Sequence, residues 1–356
     1  MFTKDLPYND LPILPGDFDY DQKALLKLAI KASEEISRLN GLVRLIPNHE
    51  ILISPLLIKE SVESSAIENI NTTTLKVLQS HALPAGSAKW AEKEVLHYHR
   101  AILRGYERLK MEWGIGYNAL LEIQSLIEPA KPGVRKLPWT VIANGYREVL
   151  YTPPVGEDAI VWLLSNLEKW MNQTDDDIDP LIKMPVIHYQ FESIHPFYDG
   201  NGRTGRILNI LYLILTGKLE YPILFLSEYI NATRNQYYAH LNHAHETTDY
   251  TDITLYLLEG IILQAKKTGD KIIKIHELMK QTEIDISLLK LDYAKITSVL
   301  FMNPFVTTSE FEKKLWGSRA TISRHIAKLE KAGIVSSLKI GKNKLLYVAP
   351  FINLLQ

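Results

Sequence analysis

From His195 to Arg206 the sequence reads His-Pro-Phe-Tyr-Asp-Gly-Asn-Gly-Arg-Thr-Gly-Arg, and an apolar run over 207–215 follows at once. These residue types suit a phosphate. A Gly-rich polar turn that opens into a buried helix leaves backbone N–H groups pointing out of the helix start, where the macrodipole adds partial positive charge. Gly200 and Gly202 let the backbone approach an anion that a Cβ would obstruct. Arg203 and Arg206 share one face of a helix, so both could grip a single phosphate chain. His195 has the chemistry of a base, and Asp199 offers a hard oxygen suited to Mg²⁺. The plain alternative is a Gly-rich loop in which Asp199 and the arginines only pair with one another. An ordered string of His, Asp, Gly-Asn-Gly and two Arg is more specific than that. It is not a Walker loop, because no Gly-Lys-Ser/Thr follows the glycines.

Helical periodicity supplies the elements that must position this string. A helix over 181–192 delivers it, with His188 read as a core histidine, and the run over 207–215 receives it. Further helices are predicted from Gln22 to Asn40-Gly41, from about 56 to 68, over 72–79, 89–109, 117–127 and 160–171, and through Ala265. Pro47 and Pro55 are read as bracketing a short apolar connection. Two β-rich runs, 139–142 and 148–151, flank Asn144-Gly145, which is a hairpin signal. His97 and His99 are poorly spaced for a metal on a helix, and the acidic stretch 175–179 reads as a solvated turn. The stretch Ser64-Ser-Ala-Ile-Glu-Asn69 places Ser64 and Glu68 on one helix face, with Asn69 suited to end the helix in the left-handed region. Taken alone, it is an ordinary helix end.

The string from His195 resembles the Fic-family signature His-Pro-Phe-x-Asp/Glu-Gly-Asn-Gly/Lys-Arg at every position, continuing through the second arginine. The resemblance covers roughly the first three quarters of the chain. It implies a mainly α fold, a Fic-type helical bundle with a β-hairpin flap. It also implies a nucleotidyltransferase that moves AMP from ATP, with Mg²⁺, onto a Ser, Thr or Tyr hydroxyl of a target protein. His195 would be the general base and Asp199 the metal ligand. The string Gly200, Asn201, Gly202, Arg203, Thr204, Gly205 and Arg206 would hold the phosphates, with Tyr237 and Tyr238 stacking on or bordering the adenine, although helix packing explains a Tyr pair equally well. The hairpin would be the flap that docks the target by its backbone through Val141 and Ile142. Ser64, Glu68 and Asn69 resemble the family's inhibitory motif Ser/Thr-x-x-x-Glu-Gly/Asn, in which Glu68 would pair with Arg206 and keep the γ-phosphate out. The same Glu68 could align a water for AMP removal. One departure stands out: Thr233 occupies a position where the family usually has Asn, which bears on nucleotide preference. Self-modification and a homodimer are further expectations of the resemblance.

Residues 310–344 hold nine Lys/Arg against three Glu, a surplus hidden in a net charge of −1. Thr308–Leu315, a Gly317-Ser318 turn and a helix over 319–332 read as a helix-turn-helix. The runs 334–340 and 344–348 about Gly341 read as its wing. Ser318, Arg319, Thr321, Ser323 and Arg324 would face phosphates or bases. This resembles a winged helix-turn-helix, a module that binds DNA or protein. The expected division is a helical region over 1–110 with the inhibitory helix, a Fic core over 111–268 and a winged helix-turn-helix over 269–356. An alternative of a different class is a DNA-binding regulator whose core senses nucleotide without turning it over. With no cysteine, disulfides and thiol chemistry are excluded. No apolar h-region opens the sequence and no run approaches the roughly 20 residues that span a bilayer, so a soluble, cytoplasmic protein with no membrane partner is expected.

Overall fold

The computed structural model describes all residues except positions 1, 47, 85, 113, 139, 144–147, 316 and 317. The chain is mainly helical. In order it forms α1 (Lys23–Val43), α2 (Glu50–Ile67), α3 (Thr74–His81), α4 (Trp90–Leu109), α5 (Tyr117–Ile127), β1 (Ile142–Ala143), β2 (Val149–Tyr151), α6 (Glu157–Met171), α7 (Pro180–Ile194) and α8 (Asn201–Leu215). There follow α9 (Ser227–Ala232), α10 (Arg234–Thr247), α11 (Thr251–Leu288), α12 (Tyr293–Met302), β3 (Val306–Thr307), α13 (Thr308–Leu315), α14 (Arg319–Lys331), β4 (Ser336–Ile340), β5 (Asn343–Tyr347) and α15 (Ala349–Leu355). Contacts group these into two compact units, one of residues 1–37 and 97–265, the other of residues 38–96 and 266–356. Among the described residues no helix is long and apolar enough to cross a membrane.

In the first unit α7 and α8 form an antiparallel pair, flanked by α6 and α5. Both are buried nearly all round, as central helices of a bundle must be. They come close because Gly205 faces α7, where a Cβ would overlap Glu192 Oε1 and stand 3.1 Å from Phe191 Cδ1. The hairpin is short, with Ile142 opposite Tyr151 and Ala143 opposite Val149. Its predicted Asn144-Gly145 turn lies outside the described residues. The acidic stretch is not simply solvated. Asp179 caps α7 by accepting from Leu181 N at 2.8 Å, and Asp176 holds the buried Lys183 at 2.5 Å.

The second unit departs from expectation in two places. Pro55 lies inside α2 rather than ahead of it. The apolar run around it is buried on nearly every side, and that packing outweighs one lost helix bond near the helix start. The helix over α11 runs unbroken through the composition shift at Lys266. Its glycines serve close packing: a Cβ at Gly269 would meet Leu42 Cδ1 at 2.9 Å. α2 packs against α3, α12 and α15, and the three strands form an antiparallel sheet in the order β3-β5-β4.

Candidate active site

α7 stops at His195, whose backbone takes the left-handed conformation, φ 46 and ψ 58. Such a conformation is costly for a residue with a Cβ unless its surroundings fix it. Here they do. Arg135, fully buried, donates from Nε to the His195 carbonyl at 2.7 Å and from Nη2 to Pro154 O at 2.5 Å and Ile194 O at 3.2 Å. Its backbone N–H reaches Pro196 O at 2.9 Å, and Val134 bridges Phe197 beside it. Lys136 N donates to Tyr198 Oη at 2.8 Å. The strand-like segment leading to the hairpin is therefore laced to the motif loop. Burial pulls the Arg135 guanidinium down to about 10, still charged at neutral pH. Among the described residues no carboxylate pairs with it, so its charge is met by carbonyl dipoles alone.

The loop's far end is braced from within. Asn201 accepts from Phe197 N and donates to Phe197 O, both at 2.8 Å, so its amide shapes the loop. Gly200 caps α8 with φ 81, and no side chain caps the first turn. A Cβ on Gly200 would also meet Glu128 Cγ at 3.2 Å and Ile127 Cγ2 at 3.3 Å. Helix-start N–H groups without a capping side chain, opening beside an exposed carboxylate, Asp199, form a cradle for an anion. Asp199 accepts from Gly200 N at 2.7 Å, and Lys131 Nζ lies 3.7 Å from its other oxygen. Gln124 at the end of α5, fully buried, donates to Asp199 O at 3.2 Å and Lys131 O at 2.9 Å.

Both motif arginines are buried, Arg203 to 2% and Arg206 to 3% exposure. Arg203 is held by Glu128 and lies 3.5 Å from Asp199. Part of the plain alternative, arginine paired with local carboxylate, is thus realised. Arg206 lies near His188, whose ring contacts Tyr237 Oη at 2.8 Å and Asn209 Nδ2 at 3.1 Å. Burial first, and the Arg206 charge second, push His188 down to about 3, so it is a neutral member of the core. Thr204 and Gly205 face inward: the Thr204 hydroxyl donates to Gly200 O at 2.8 Å, and Gly205 seats α8 on α7.

Of the other predicted residues, Tyr237 is buried with its hydroxyl on His188, while the adjacent Tyr238 is half-buried. Thr233 joins α9 to α10 and shares a 2.7 Å bond with Tyr256 Oη. Val141 is exposed and Ile142 half-buried at the hairpin. In the second unit, Glu68 is exposed at the C-cap of α2 and Ser64 is buried. Asn69 is left-handed, φ 62, with Asn69 N bonded to Ala66 O and Ile70 N to Ser65 O, each at 3.0 Å. That is a Schellman ending, and it fixes the direction in which the chain leaves Glu68. Sequence reasoning missed Arg135, Gln124 and Glu128. A single Arg, Gln or Glu carries no periodic signal, and only the tertiary fold brings them to the loop.

The chain is similar to known proteins along part of its length. Residues 26–107 match the model of the Fic/DOC family N-terminal region, and residues 90–213 match that of the Fic/DOC family. The chain is 34% identical over 90 residues to protein adenylyltransferase fic-1 of Caenorhabditis elegans, covering 25% of this chain and 16% of that one. It is 33% identical over 94 residues to protein adenylyltransferase Fic of Drosophila melanogaster, covering 26% and 18%. The chain thus spans under a fifth of the length of these curated relatives. Among solved structures, a Fic family protein from Desulfovibrio desulfuricans G20 superimposes with TM-score 0.59 at 18% identity, covering 92% of this chain and 96% of that one. A fragment of C. elegans Fic-1 gives 0.51 at 22% identity, covering 70% and 71%. Both likenesses speak to the fold.

Proposed function

We propose that this Fic/DOC family protein with a Fic N-terminal domain is a protein adenylyltransferase, which moves AMP from ATP to a Ser, Thr or Tyr hydroxyl of a target protein. One observation carries the reading: His195 ends α7 five residues before Gly200, the N-cap at the uncapped start of α8, with Asp199 between them. A base therefore stands next to an anion cradle. His195 takes the proton from the target hydroxyl, whose oxygen attacks the α-phosphorus. The bond from that phosphorus to the bridging oxygen breaks, and pyrophosphate leaves. The N–H groups at Gly200–Gly202 stabilise charge on the α-phosphate oxygens, while Arg203 and Arg206 take the β- and γ-phosphates.

Among the described residues no cluster of three or more His, Asp or Glu could enclose a metal by itself. One carboxylate, Asp199, fits a cation that arrives on a phosphate chain and keeps much of its water. Mg²⁺ bound there would neutralise charge on the phosphates. In this reading Glu68 is the brake, and it can also align a water for AMP removal. Val141 and Ile142 offer the target an edge to pair with.

The test compares wild type, Glu68→Gly and Glu68→Gly/His195→Ala with ATP labelled at the α- or γ-phosphate. Protein label from the α position only, strong in Glu68→Gly and absent in the double variant, is the expected result. Label from the γ position would mean phosphotransfer. No label from either, with ATP still bound, would leave a nucleotide sensor.

A further inference from the structure

We infer that α14 and the β4–β5 hairpin form a binding surface for duplex DNA, with α14 seated in the major groove and the hairpin against the backbone. The order α12, β3, α13, α14, β4, β5, with β5 central in the sheet, places two short helices ahead of a hairpin, as in winged helices. Ser318 caps α14, accepting from Thr321 N at 3.2 Å, so the helix begins sharply.

The two faces of α14 differ in kind. Ile322, Ile326 and Leu329 are buried, while Arg319, Ala320, Ser323, Arg324, Ala327, Lys328 and Lys331 are exposed. Ala320, Ser323 and Ala327 are short, so the helix axis can approach base edges closely while Arg319, Arg324 and Lys328 flank them. A major groove about 12 Å wide admits such a helix. The hairpin turns in two residues, Ile340 opposite Asn343, with Gly341 at φ 57. That puts Lys342 at the tip, with Lys339 exposed on β4.

Charge points the same way. A soluble surface normally mixes signs, yet the acid on α14, Glu330, is taken by Lys344 at 2.7 Å. No ion pair among the described residues involves Arg319, Arg324, Lys328, Lys331, Lys339 or Lys342. Single strands are disfavoured, because residues 318–344 contain no Phe, Tyr or Trp on which bases could stack.

The inference needs no nucleotide chemistry, so it is tested without ATP. The full chain is titrated against a fluorescein-labelled duplex of mixed sequence by polarisation, with the melting temperature as the folding control. Affinity should fall about a hundredfold from about 50 to about 200 mM KCl, as for about four phosphate contacts. The single strand should bind more weakly. Lys328→Glu/Lys342→Glu should weaken binding at least tenfold, and so should Ala327→Leu, which changes no charge. No duplex binding at low salt, equal affinity for the single strand, or indifference to both variants would overturn the inference and leave this face to a protein. Loss in the charge variant alone would overturn the seating of α14 in the groove.

Discussion

The guanidinium of Arg135 sits directly on the main-chain carbonyl of His195, at 2.7 Å, and on two further carbonyls from Ile194 and Pro154. A residue outside the motif thereby fixes the left-handed turn that presents the motif's histidine. The substitution Arg135→Met would leave buried carbonyls without donors, at roughly 3 kcal/mol or more in total. Urea unfolding should show that loss. Arg135→Lys keeps the charge but not the fork. Under the transferase reading it should lower kcat about tenfold or more with KM for ATP little changed, because the base is mis-set while the cradle remains. Unaltered kcat in a folded Arg135→Lys protein would refute the positioning role.

Glu128 and Arg203 make a second such relationship. Breaking a buried pair from one side leaves an uncompensated charge and costs about 3–5 kcal/mol, less here because Asp199 lies nearby. Glu128→Gln should therefore melt lower than wild type. If Arg203 takes a phosphate, ATP supplies the missing anion, and the stabilisation by ATP should be larger in the variant than in wild type. Equal ATP shifts by thermal melting would remove Arg203 from the nucleotide site.

Two buried histidines set an acid limit on the first unit. His188 and His245 are each pushed from the ordinary 6.5 down to about 3, by burial first. Above about pH 6.5 neither state binds the proton, so stability is unaffected. Between there and about pH 3 the unfolded chain protonates while the folded one does not, and stability falls as pH falls. His245 stacks on Tyr151 with ring centroids 4.0 Å apart. His245→Phe should keep that contact and flatten the loss between about pH 7 and about pH 4.5, read as urea midpoints. A variant as acid-sensitive as wild type would exclude His245 as a source.

The candidate site was legible in the sequence where its residues are contiguous: one string carries His195, Asp199, the glycines and both arginines. The helices α5 and α4 were legible through their periodicity, and Asn69 as a left-handed stop through its residue type. What was not legible depends on distance along the chain. Nothing near Gln124, Glu128 or Arg135 says that the fold will bring them to the loop. The inward turn of Thr204 and Gly205, inside the string, follows from the α7–α8 contact and from no local rule. Pro55 misled because a breaker's cost is local while the burial that outweighs it is not.

The partition of the chain matters for any truncation. α2 and its neighbour α3 share a core with α12 and α15, and Lys59 Nζ donates to Gln356 O at 2.9 Å. Removing residues 266–356 would therefore strip apolar cover from α2, a helix with few polar positions left to face water. Each large side chain so exposed costs about 1.5–3 kcal/mol. The truncated protein should be cut within residues 44–96 under limited proteolysis that leaves the same segment intact in the full chain. If the segment stays protected, the C-terminal elements are dispensable to α2. If it opens, any change in activity on truncation reports loss of the helix that carries Glu68 rather than loss of a DNA contact. Point variants on α14 are then the way to separate the two.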